Sequence, residues 1–531
     1  MKKFLAWLLA CVMLLSLAAC AKTQTPAEEP ADAPAQQEPA EETPAQDEAA
    51  AEEVTGWTGD ISHIVVTYLT TGVTPPALEE VQDAVNAITT KEIGVEIELR
   101  PMSAYDALAQ LSVQVAGGDD LDLVMLLLQS VKAWTDQGLL EPLDDYLAAD
   151  APYISEFRKT VDICAGTYTD GKAYGVTPIP QSFGNSAGFV VAKDYLDEIG
   201  FEHEVDKVYT LDEVHDVLAA IKEKHPEMYP NGTLAQGTGS MAGMSALTVD
   251  LLGANDCSGA LIGTDSTEIV NLFATPEYEQ YVRTMRQWYE EGLSYPDAEG
   301  LSYPDAAVTS STVTELVASG TIAGYFMSGH PSVLSDVAGH KMVALRTTEP
   351  GIISSGSTGS FWALPITCSD PDAAIRFLDY VCSNHEISNL LMMGIEGEHY
   401  VVTDAENNII GFPEGVDAAT STYYNQLGVW GDRRYEYVWS EAQSQKVLEP
   451  YSEIAMQNQT QAVGYAYDAT AMTTQISVIQ SVIAEYCRAL EAGSVDVDTV
   501  LPEFISRLEA AGINEVIADN QAQFDAWRAA K

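Results

Sequence analysis

One serine stands in a spacing that hydrolases use for nucleophilic attack. Residues 184–188 read Gly-Asn-Ser-Ala-Gly and match the G-x-S-x-G pattern, with Ser186 at its centre. In enzymes of that kind the serine lies on a sharp turn that joins a strand to a helix. Here Pro178 and Pro180 come before the pattern and a strand-like apolar run follows it, which is the wrong local order. The sequence therefore does not favour acyl transfer at Ser186.

Two glycine-rich segments invite comparison with phosphate-binding loops. Residues 237–242, Gly-Thr-Gly-Ser-Met-Ala, loosely match a dinucleotide fingerprint, but no strong strand precedes them. A helix start, whose N–H groups are able to contact a ligand, is the better interpretation. Residues 355–359 lack the lysine of a phosphate-binding loop, and the sequence contains no H-E-x-x-H metal motif. We expect no catalytic residue, no metal and no cofactor, and therefore no enzyme.

The N-terminus has the pattern of an export signal. Met1-Lys2-Lys3 is followed by an apolar stretch from Phe4 to Ala19, which is shorter than the about 20 apolar residues of a membrane-spanning helix. Leu17-Ala18-Ala19-Cys20 resembles the bacterial lipobox. The resemblance implies a signal peptide over residues 1–19 and a diacylated Cys20 as the mature N-terminus. The alternative is an ordinary cleaved signal with an incidental cysteine.

The segment that follows has the composition of a tether. Residues 20–56 consist largely of Ala, Pro, Glu, Thr and Gln, and almost no side chain larger than Ala is apolar. Such a segment cannot bury enough surface to offset the entropy lost on ordering. We expect a disordered, acidic tether between the lipid and the folded part. Two acyl chains on Cys20 would suffice for stable membrane attachment.

Charge and cysteine content narrow the range of partners. The formal net charge is −54, so nucleic acid is an improbable partner because such binding needs Lys and Arg to neutralise phosphates. A solvated acidic surface explains this charge better than a cationic ligand does. Widely spaced cysteines without C-x-x-C favour buried thiols over disulfides or zinc. The cysteines after Cys20 are Cys164, Cys257, Cys368, Cys382 and Cys487.

The folded part begins with alternating strand and helix patterns. Residues 63–69, 95–99 and 121–128 have strand patterns, and helical patterns over 78–88 and 104–116 separate them. This β-α-β-α-β order predicts a parallel sheet covered by helices on both faces.

Later segments extend this α/β class and add helices at the C-terminus. Thr210 and Glu213 form a capping box at the start of a helix, and Asp370-Pro371 begins another. Residues 476–490 carry an apolar stripe at helical spacing. Because residues 57–531 are too many for a single core, two or more lobes are expected.

Five short motifs follow one another in a fixed order. They are Gln114–Val124, Gly138–Tyr146, Asp170–Pro178, Glu315–Gly324 and Leu391–Val401. Together they resemble the carbohydrate-type extracellular solute-binding proteins of bacterial ABC importers, in particular the larger lipoprotein members. The resemblance implies the type II periplasmic-binding fold, in which two α/β lobes are joined by crossing segments. It also implies hinge closure around a ligand and delivery of that ligand to a permease.

The resemblance also suggests where the lobes begin and end. It places residues 57–179 plus about 330–385 in an N-lobe, and residues 180–329 plus about 386–531 in a C-lobe. The crossings are then expected near residues 177–181, 326–332 and 385.

Candidate ligand-binding residues follow the strands and the crossings. Ligands of open parallel sheets bind at the carboxyl ends of strands, and pockets favour domain interfaces. The residues in such positions are Tyr68, Gln129, Ser130, Gln181, Asn185, Tyr325, Trp362 and Trp430. Aromatic rings would stack on sugar rings, and amides would pair with hydroxyls. Core packing is the alternative for each aromatic residue.

The leading hypothesis is a monomeric, lipid-anchored receptor on the outer face of the cytoplasmic membrane of a Gram-positive-type bacterium. It would capture a small-molecule ligand, an oligosaccharide on the basis of size, and deliver it to ABC permease subunits. Two alternatives remain open from the sequence. One is a peptide- or polyanionic-oligomer-binding protein of the same fold, and the other is a surface hydrolase.

Overall fold

The computed structural model describes residues 56–530 except 128, 170, 233–239, 253–255, 297–312, 331–333, 335–336, 355–358, 424–426 and 428. Cys20, the expected lipidation site, and the expected tether up to residue 55 lie outside the described residues. The described part forms two lobes, each built around its own sheet and hydrophobic core.

Strands and helices are numbered separately along the chain. The strands are β1 (Ser62–Thr70), β2 (Val95–Ser103), β3 (Leu123–Leu127), β4 (Tyr168–Thr169), β5 (Lys172–Ala173), β6 (Ser186–Ala192), β7 (Val249–Asp250), β8 (Leu261–Ile262), β9 (Gly324–Gly329), β10 (Met342–Arg346), β11 (Ser360–Ala363), β12 (Val401–Asp404) and β13 (Ile409–Gly411). The helices are α1 (Leu78–Glu92), α2 (Ala104–Gly117), α3 (Val131–Asp136), α4 (Asp144–Asp150), α5 (Pro152–Phe157), α6 (Lys193–Ile199), α7 (Leu211–Lys224), α8 (Ala242–Ser245), α9 (Pro276–Glu290), α10 (Pro371–Ser383), α11 (His385–Met393), α12 (Gln445–Gln457), α13 (Thr473–Glu491), α14 (Val497–Ala510) and α15 (Ile513–Ala530).

The sheet of the first lobe has the strand order β11-β3-β1-β2. β1 pairs in parallel with β2 along its whole length, from Ser62 opposite Val95 to Thr70 opposite Ser103. β3 also runs parallel to β1, and β11 closes the edge in the antiparallel direction. The predicted β-α-β-α-β order is therefore present. Parallel strands place their carboxyl ends at one edge, so the residues that follow β1, β2 and β3 lie close together.

The second lobe differs from the parallel pattern because its sheet is antiparallel. β6 lies between β10 and β9 and pairs with both in the antiparallel direction. The capping box that opens α7 is present, since Thr210 Oγ1 accepts from Glu213 N and Glu213 Oε2 accepts from Thr210 N. At the C-terminus, helices α13, α14 and α15 pack their apolar faces into the second core, as the stripe over residues 476–490 predicts.

The lobe boundaries differ from those expected from the sequence. The segment from α11 to about residue 439 packs into the first core through residues such as Ile387, Tyr400 and Trp430, although it was expected in the C-lobe. β10, expected in the N-lobe, pairs with β6 in the second sheet. The physical reason is that an apolar pattern identifies a strand or helix but does not say which of two apolar cores it joins.

Among the described residues, three segments cross between the lobes and form hydrogen bonds with one another at the crossing. The first precedes β6 and includes the predicted residues 177–181. The second follows β10, and the third runs along α12 to Thr460. Asn185 and Gly351 exchange two backbone hydrogen bonds, each of 3.0 Å, and Thr460 N donates to Ile352 O at 3.0 Å. The crossings expected near 326–332 and 385 are corrected, because residues 326–329 lie within β9 and residue 385 begins α11 in the first lobe.

The chain enters the first lobe beside the amino end of β1. Trp57 N donates to Lys91 O at 2.7 Å, and the guanidinium of Arg376 lies 4.6 Å from the centre of the Trp57 ring. Within the described part of the chain, no helix combines the length and the apolar character that crossing a bilayer requires.

The cysteines after Cys20 all belong to the described residues, and none of them forms a disulfide. All are buried except Cys368, which is half-buried. Burial raises the pKa of the Cys164 thiol to about 12, so this thiol stays protonated at neutral pH.

Candidate functional site

Polar residues collect at the carboxyl edge of the first sheet. Gln129 and Ser130 follow β3, and both side chains also stabilise local structure. Gln129 Oε1 accepts from Trp134 Nε1 at 2.9 Å, and Ser130 Oγ accepts from Ala133 N at 3.3 Å as the N-cap of α3. Gln129 Nε2 donates to Ala107 O of α2 at 3.4 Å, which fixes the start of α2 beside this edge.

Three of the predicted aromatic residues form one cluster under this edge. Tyr68 and Trp430 have ring centroids 5.6 Å apart, and Trp362 and Trp430 have centroids 4.6 Å apart. Each of the three is only 1% exposed, so the core-packing alternative holds for the bulk of each ring. The Nε1 of Trp362 donates to Val429 O at 2.7 Å and is satisfied.

The other two members of the cluster carry polar atoms without a hydrogen-bond partner. Tyr68 Oη and Trp430 Nε1 are buried and unpaired among the described residues. A buried donor left unpaired costs about 1–3 kcal/mol, so native structures rarely keep such a donor without a partner. Burial raises the pKa of Tyr68, which keeps its hydroxyl protonated and able to donate.

A cavity of about 270 Å³ lies where the crossing segments meet. Residues 161–163 and Ala165 of the first lobe form one wall, and the first and second crossings form two more. Val463 closes the cavity next to the second core. The polar side chains in its walls are those of Asp162, Thr177, Ser182, Asn185, Ser360 and Arg433. Phe183 and Ile352 contribute apolar surface. An apolar wall with a few convergent polar groups is typical of a small-molecule site.

The charged groups of this cavity are compensated in pairs. Arg433 Nε donates to Glu436 Oε2 at 2.8 Å, and burial raises the pKa of the Glu436 carboxyl. Asp162 accepts from Tyr168 Oη at 2.8 Å and from Arg158 Nε at 3.1 Å. Because each charge has a partner on the protein, the cavity offers hydrogen bonds without a strong net field. Such an environment suits a neutral, hydroxyl-rich ligand better than an ion.

The remaining predicted residues lie apart from one another. Asn185 lines the cavity. Gln181 lies on the first crossing, where its backbone carbonyl accepts from Gln445 Nε2 at 2.8 Å. Tyr325 lies in β9 and packs with Met327 and Val337 on one face of the second sheet, away from the cavity.

Ser186 is a strand residue and not a nucleophile elbow. It is the first residue of β6 and is 5% exposed. Its Oγ accepts from Tyr451 Oη at 3.0 Å and donates to Gly329 O at 3.3 Å. In the described ranges, no group of three or more His, Cys, Asp or Glu side chains is placed to hold a metal ion.

Sequence reasoning missed one aromatic residue at the carboxyl edge. Tyr105 comes two residues after the end of β2, at the start of α2, and 82% of its surface is exposed. Thr70 of β1 pairs with Ser103 of β2, so Tyr105 lies at the same edge as the ends of both strands. The available signal was an aromatic residue directly after a strand, but the segment was interpreted only as a helix.

Comparison with known proteins places the chain in a family. The family described as bacterial extracellular solute-binding protein matches residues 83–396, which is more than half of the chain. The chain belongs to the bacterial extracellular solute-binding proteins. A second family, described as a domain of unknown function (DUF3502), matches residues 461–529 of this solute-binding protein.

Individual relatives resemble the solute-binding protein over most of its length. A carbohydrate ABC transporter substrate-binding protein of Streptococcus pneumoniae is 23% identical over 474 residues, which cover 85% of this chain and 88% of the relative. The crystal structure of the N-glycan transport solute binding protein NgtS from Streptococcus pneumoniae superposes with a TM-score of 0.71. It is 19% identical, and the match covers 87% of this chain and 98% of that one.

A third relative is more distant in structure. The S. pneumoniae ABC-transporter substrate binding protein FusA in complex with kestose gives a TM-score of 0.56 at 15% identity, with 88% of this chain and 100% of that one covered. These likenesses show that the solute-binding protein has the type II periplasmic-binding fold implied by its sequence motifs.

Proposed function

We propose that this solute-binding protein captures an oligosaccharide between its two lobes and delivers it to the permease of an ABC importer. The observation that carries the proposal is the cavity at the crossing segments, whose polar groups are hydrogen-bonding and whose charges are compensated. A ligand with many hydroxyls and no net charge matches that surface. Hinge bending across the three crossings would close the lobes around it.

The names of the relatives support this ligand class. They include a carbohydrate ABC transporter substrate-binding protein, an N-glycan transport protein, a protein in complex with kestose and a human-milk-oligosaccharide (HMO)-binding protein. Neither the peptide nor the polyanionic alternative is favoured by these comparisons. The role is binding without turnover, in keeping with a Ser186 that lies inside a strand.

Within this proposal, the following residues are candidates for contact with the ligand. Asn185 and Arg433 would bond ligand hydroxyls in the cavity. At the carboxyl edge, Tyr68 Oη and Trp430 Nε1 are donors without a partner among the described residues, and Tyr105 is an exposed ring. Gln129 and Ser130 contribute polar groups at the same edge, while Trp362 packs against Trp430.

The test is thermal stability against a panel of ligands. It contains Man1GlcNAc, Man5GlcNAc, kestose, human milk oligosaccharides, alginate oligomers and short peptides. A ligand at 100 times its Kd stabilises the folded state by about 2.7 kcal/mol, which raises the Tm by a few degrees. Selective shifts with one class of glycan are expected. Shifts with peptides alone would contradict the proposal.

Tyr105→Ala is expected to raise the Kd for the glycan that binds best by about fivefold. A stacking partner of this kind contributes on the order of 1 kcal/mol, and the exposed position makes a loss of stability small. Isothermal titration calorimetry measures the change. Val113→Ala is the matched control, because Val113 is also exposed on α2 but lies two turns farther from the edge. Equal affinities of the parent and both variants for the glycan would show that Tyr105 does not contact the ligand.

We further propose that Cys20 carries the lipid that holds the receptor at the outer face of the membrane. The lipobox-like Leu17-Ala18-Ala19-Cys20 supports this placement, and the family is extracellular. Cys20→Ser is expected to abolish acylation and move the protein from the membrane fraction to the medium or leave it as precursor. Cell fractionation and immunoblotting measure how much of the variant stays in the membrane fraction. Undiminished membrane retention would contradict lipidation at Cys20.

A further inference from the structure

A second, smaller cavity lies at the end of the second sheet from which the crossing segments leave. Its walls include Ser186 at the start of β6, Gly329 at the end of β9 and Arg346 at the end of β10, and we call it the Arg346 cavity. Its volume is about 10 Å³, which is close to the least that holds one water molecule. A carboxylate, phosphate or sulfate group is too large for this volume. Its occupant is therefore a single small molecule or a monatomic ion.

Arg346 is the only charged side chain among the described residues that line this cavity. It is 3% exposed, and its Nε is buried without a hydrogen-bond partner among the described residues. Its Nη2 donates to the backbone carbonyl of Asp206, which is a neutral acceptor. Its one ion pair within the described part of the chain is with Glu349, whose Oε2 lies 3.7 Å from Nη2 and whose side chain is 60% exposed. The protein therefore compensates the charge of this buried guanidinium only in part.

The other walls of the Arg346 cavity favour an anion over a cation. His330 lines it, and burial together with the nearby charge of Arg346 lowers the pKa of the His330 imidazole to about 4, so the ring is neutral at pH 7. Among the described residues, no carboxylate lines the cavity. The apolar side chains in its walls include those of Val190, Met327, Leu334 and Ala344. A guanidinium in such apolar surroundings attracts a negative charge more strongly than one in water does.

Ser186 is able to supply a second hydrogen bond in the cavity. Its Oγ lies 3.0 Å from Tyr451 Oη and 3.3 Å from Gly329 O, and Tyr451 Oη lies 3.2 Å from the same carbonyl. The two hydroxyls carry two protons, and both rotate to suit their partners. When Tyr451 donates to Gly329 O, the proton of Ser186 is available to a ligand in the cavity. Tyr451 belongs to α12, so this network reaches the third crossing.

We propose that the Arg346 cavity binds one monovalent anion of the size of chloride, held by Arg346 Nε and Ser186 Oγ. The anion would compensate the buried guanidinium and connect the start of β6 with the end of β10. It would thereby stabilise the second lobe at the point where the crossings leave it. The site is separate from the larger cavity between the lobes and does not depend on which ligand the protein captures.

Thermal denaturation of the purified protein in two sodium salts of equal ionic strength tests this proposal. Chloride is compared with methanesulfonate, a monovalent anion that is too large for the cavity. At about ten times its Kd, chloride should raise the Tm by about 2 °C relative to methanesulfonate. Arg346→Met keeps a side chain that fills much of the same space but removes the charge, and should abolish this difference. A Tm of the parent that is the same in both salts would overturn the proposal.

Two further measurements place the effect at Arg346. Arg507→Met is the matched control, because Arg507 is 51% exposed, and its Tm should respond to chloride as that of the parent does. Crystals of the parent grown in sodium chloride locate the anion even if Arg346→Met does not fold, since chlorine scatters long-wavelength X-rays anomalously and oxygen hardly does. An anomalous peak is expected within hydrogen-bond distance of Arg346 Nε. Density there without anomalous signal would identify a water molecule and overturn the proposal, as would peaks at exposed positions only.

Discussion

Asp250→Asn is expected to lower the free energy of unfolding by about 3 kcal/mol. The Asp250 carboxylate is completely buried and accepts four hydrogen bonds. Leu252 N and Ser354 N each donate at 2.8 Å, and the hydroxyls of Ser354 and Thr460 donate as well. An amide provides an acceptor on one side only, so one of the two backbone N–H groups would face an NH₂ group. A buried donor without a partner is among the costliest single defects.

The consequence reaches beyond stability, because Asp250 fastens two crossings to the second lobe. Ser354 belongs to the second crossing and Thr460 ends the third. Urea unfolding at pH 7 gives the free energy, and small-angle scattering with and without a bound glycan gives the extent of closure. The matched control is Asp265→Asn, which alters an exposed carboxylate of the same lobe and should cost less than about 0.5 kcal/mol. A variant at Asp250 as stable as this control would contradict the assignment.

Gly184→Ala is expected to destabilise the fold by about 3 kcal/mol or more. Gly184 has φ of +74°, a conformation that costs an L-residue about 1 kcal/mol. An added Cβ would lie 2.4 Å from the Cβ of Ala455 in α12 and 2.8 Å from Gly351 O. The three crossings meet at this point, and the atoms nearest to the added Cβ are a short side chain and a backbone carbonyl. The close contact therefore cannot be relieved by the movement of one flexible side chain.

Two comparisons isolate the steric part of the effect at Gly184. Gly171 has φ of +76° with nothing within 4 Å of an added Cβ, so Gly171→Ala should cost only the conformational term of about 1 kcal/mol. The double variant Gly184→Ala/Ala455→Gly removes the closest contact and should recover part of the loss. Thermal and urea denaturation measure both. Equal losses at Gly184 and Gly171, with no recovery in the double variant, would show that crowding at the crossings is unimportant.

Local elements of this fold are well encoded in the sequence. The alternation of apolar and polar residues over 63–128 predicts β1 to β3 and the helices between them, and the capping box at Thr210 marks the start of α7. Lobe membership is not encoded in this way. The segment after His385 is as apolar as a second-lobe segment would be, and its place in the first core depends on contacts with residues hundreds of positions away.

The candidate site is likewise predicted only in part by local sequence patterns. Tyr68, Trp362 and Trp430 were all predicted as candidate ligand-binding residues, and the structure brings the three together. The cavity walls at Asp162 and Arg433 come from irregular segments without a periodic pattern, so no local signal indicates them. Gln181 and Tyr325 were predicted from the positions of two crossings, which came from the family resemblance. The structure places the second crossing after β10 and not near residues 326–332, so Tyr325 lies inside a strand.

The entry of the chain at Trp57 has a mechanical consequence. A pull on the N-terminus acts first on the bond between Trp57 N and Lys91 O, and then on β1. Because β1 pairs in register with β2 over nine residues, force along the strand loads those hydrogen bonds in shear, all together. The crossings begin more than 100 residues later and lie outside this load path. A receptor anchored at Cys20, as we propose, would therefore carry tension through the first lobe and not through the crossings.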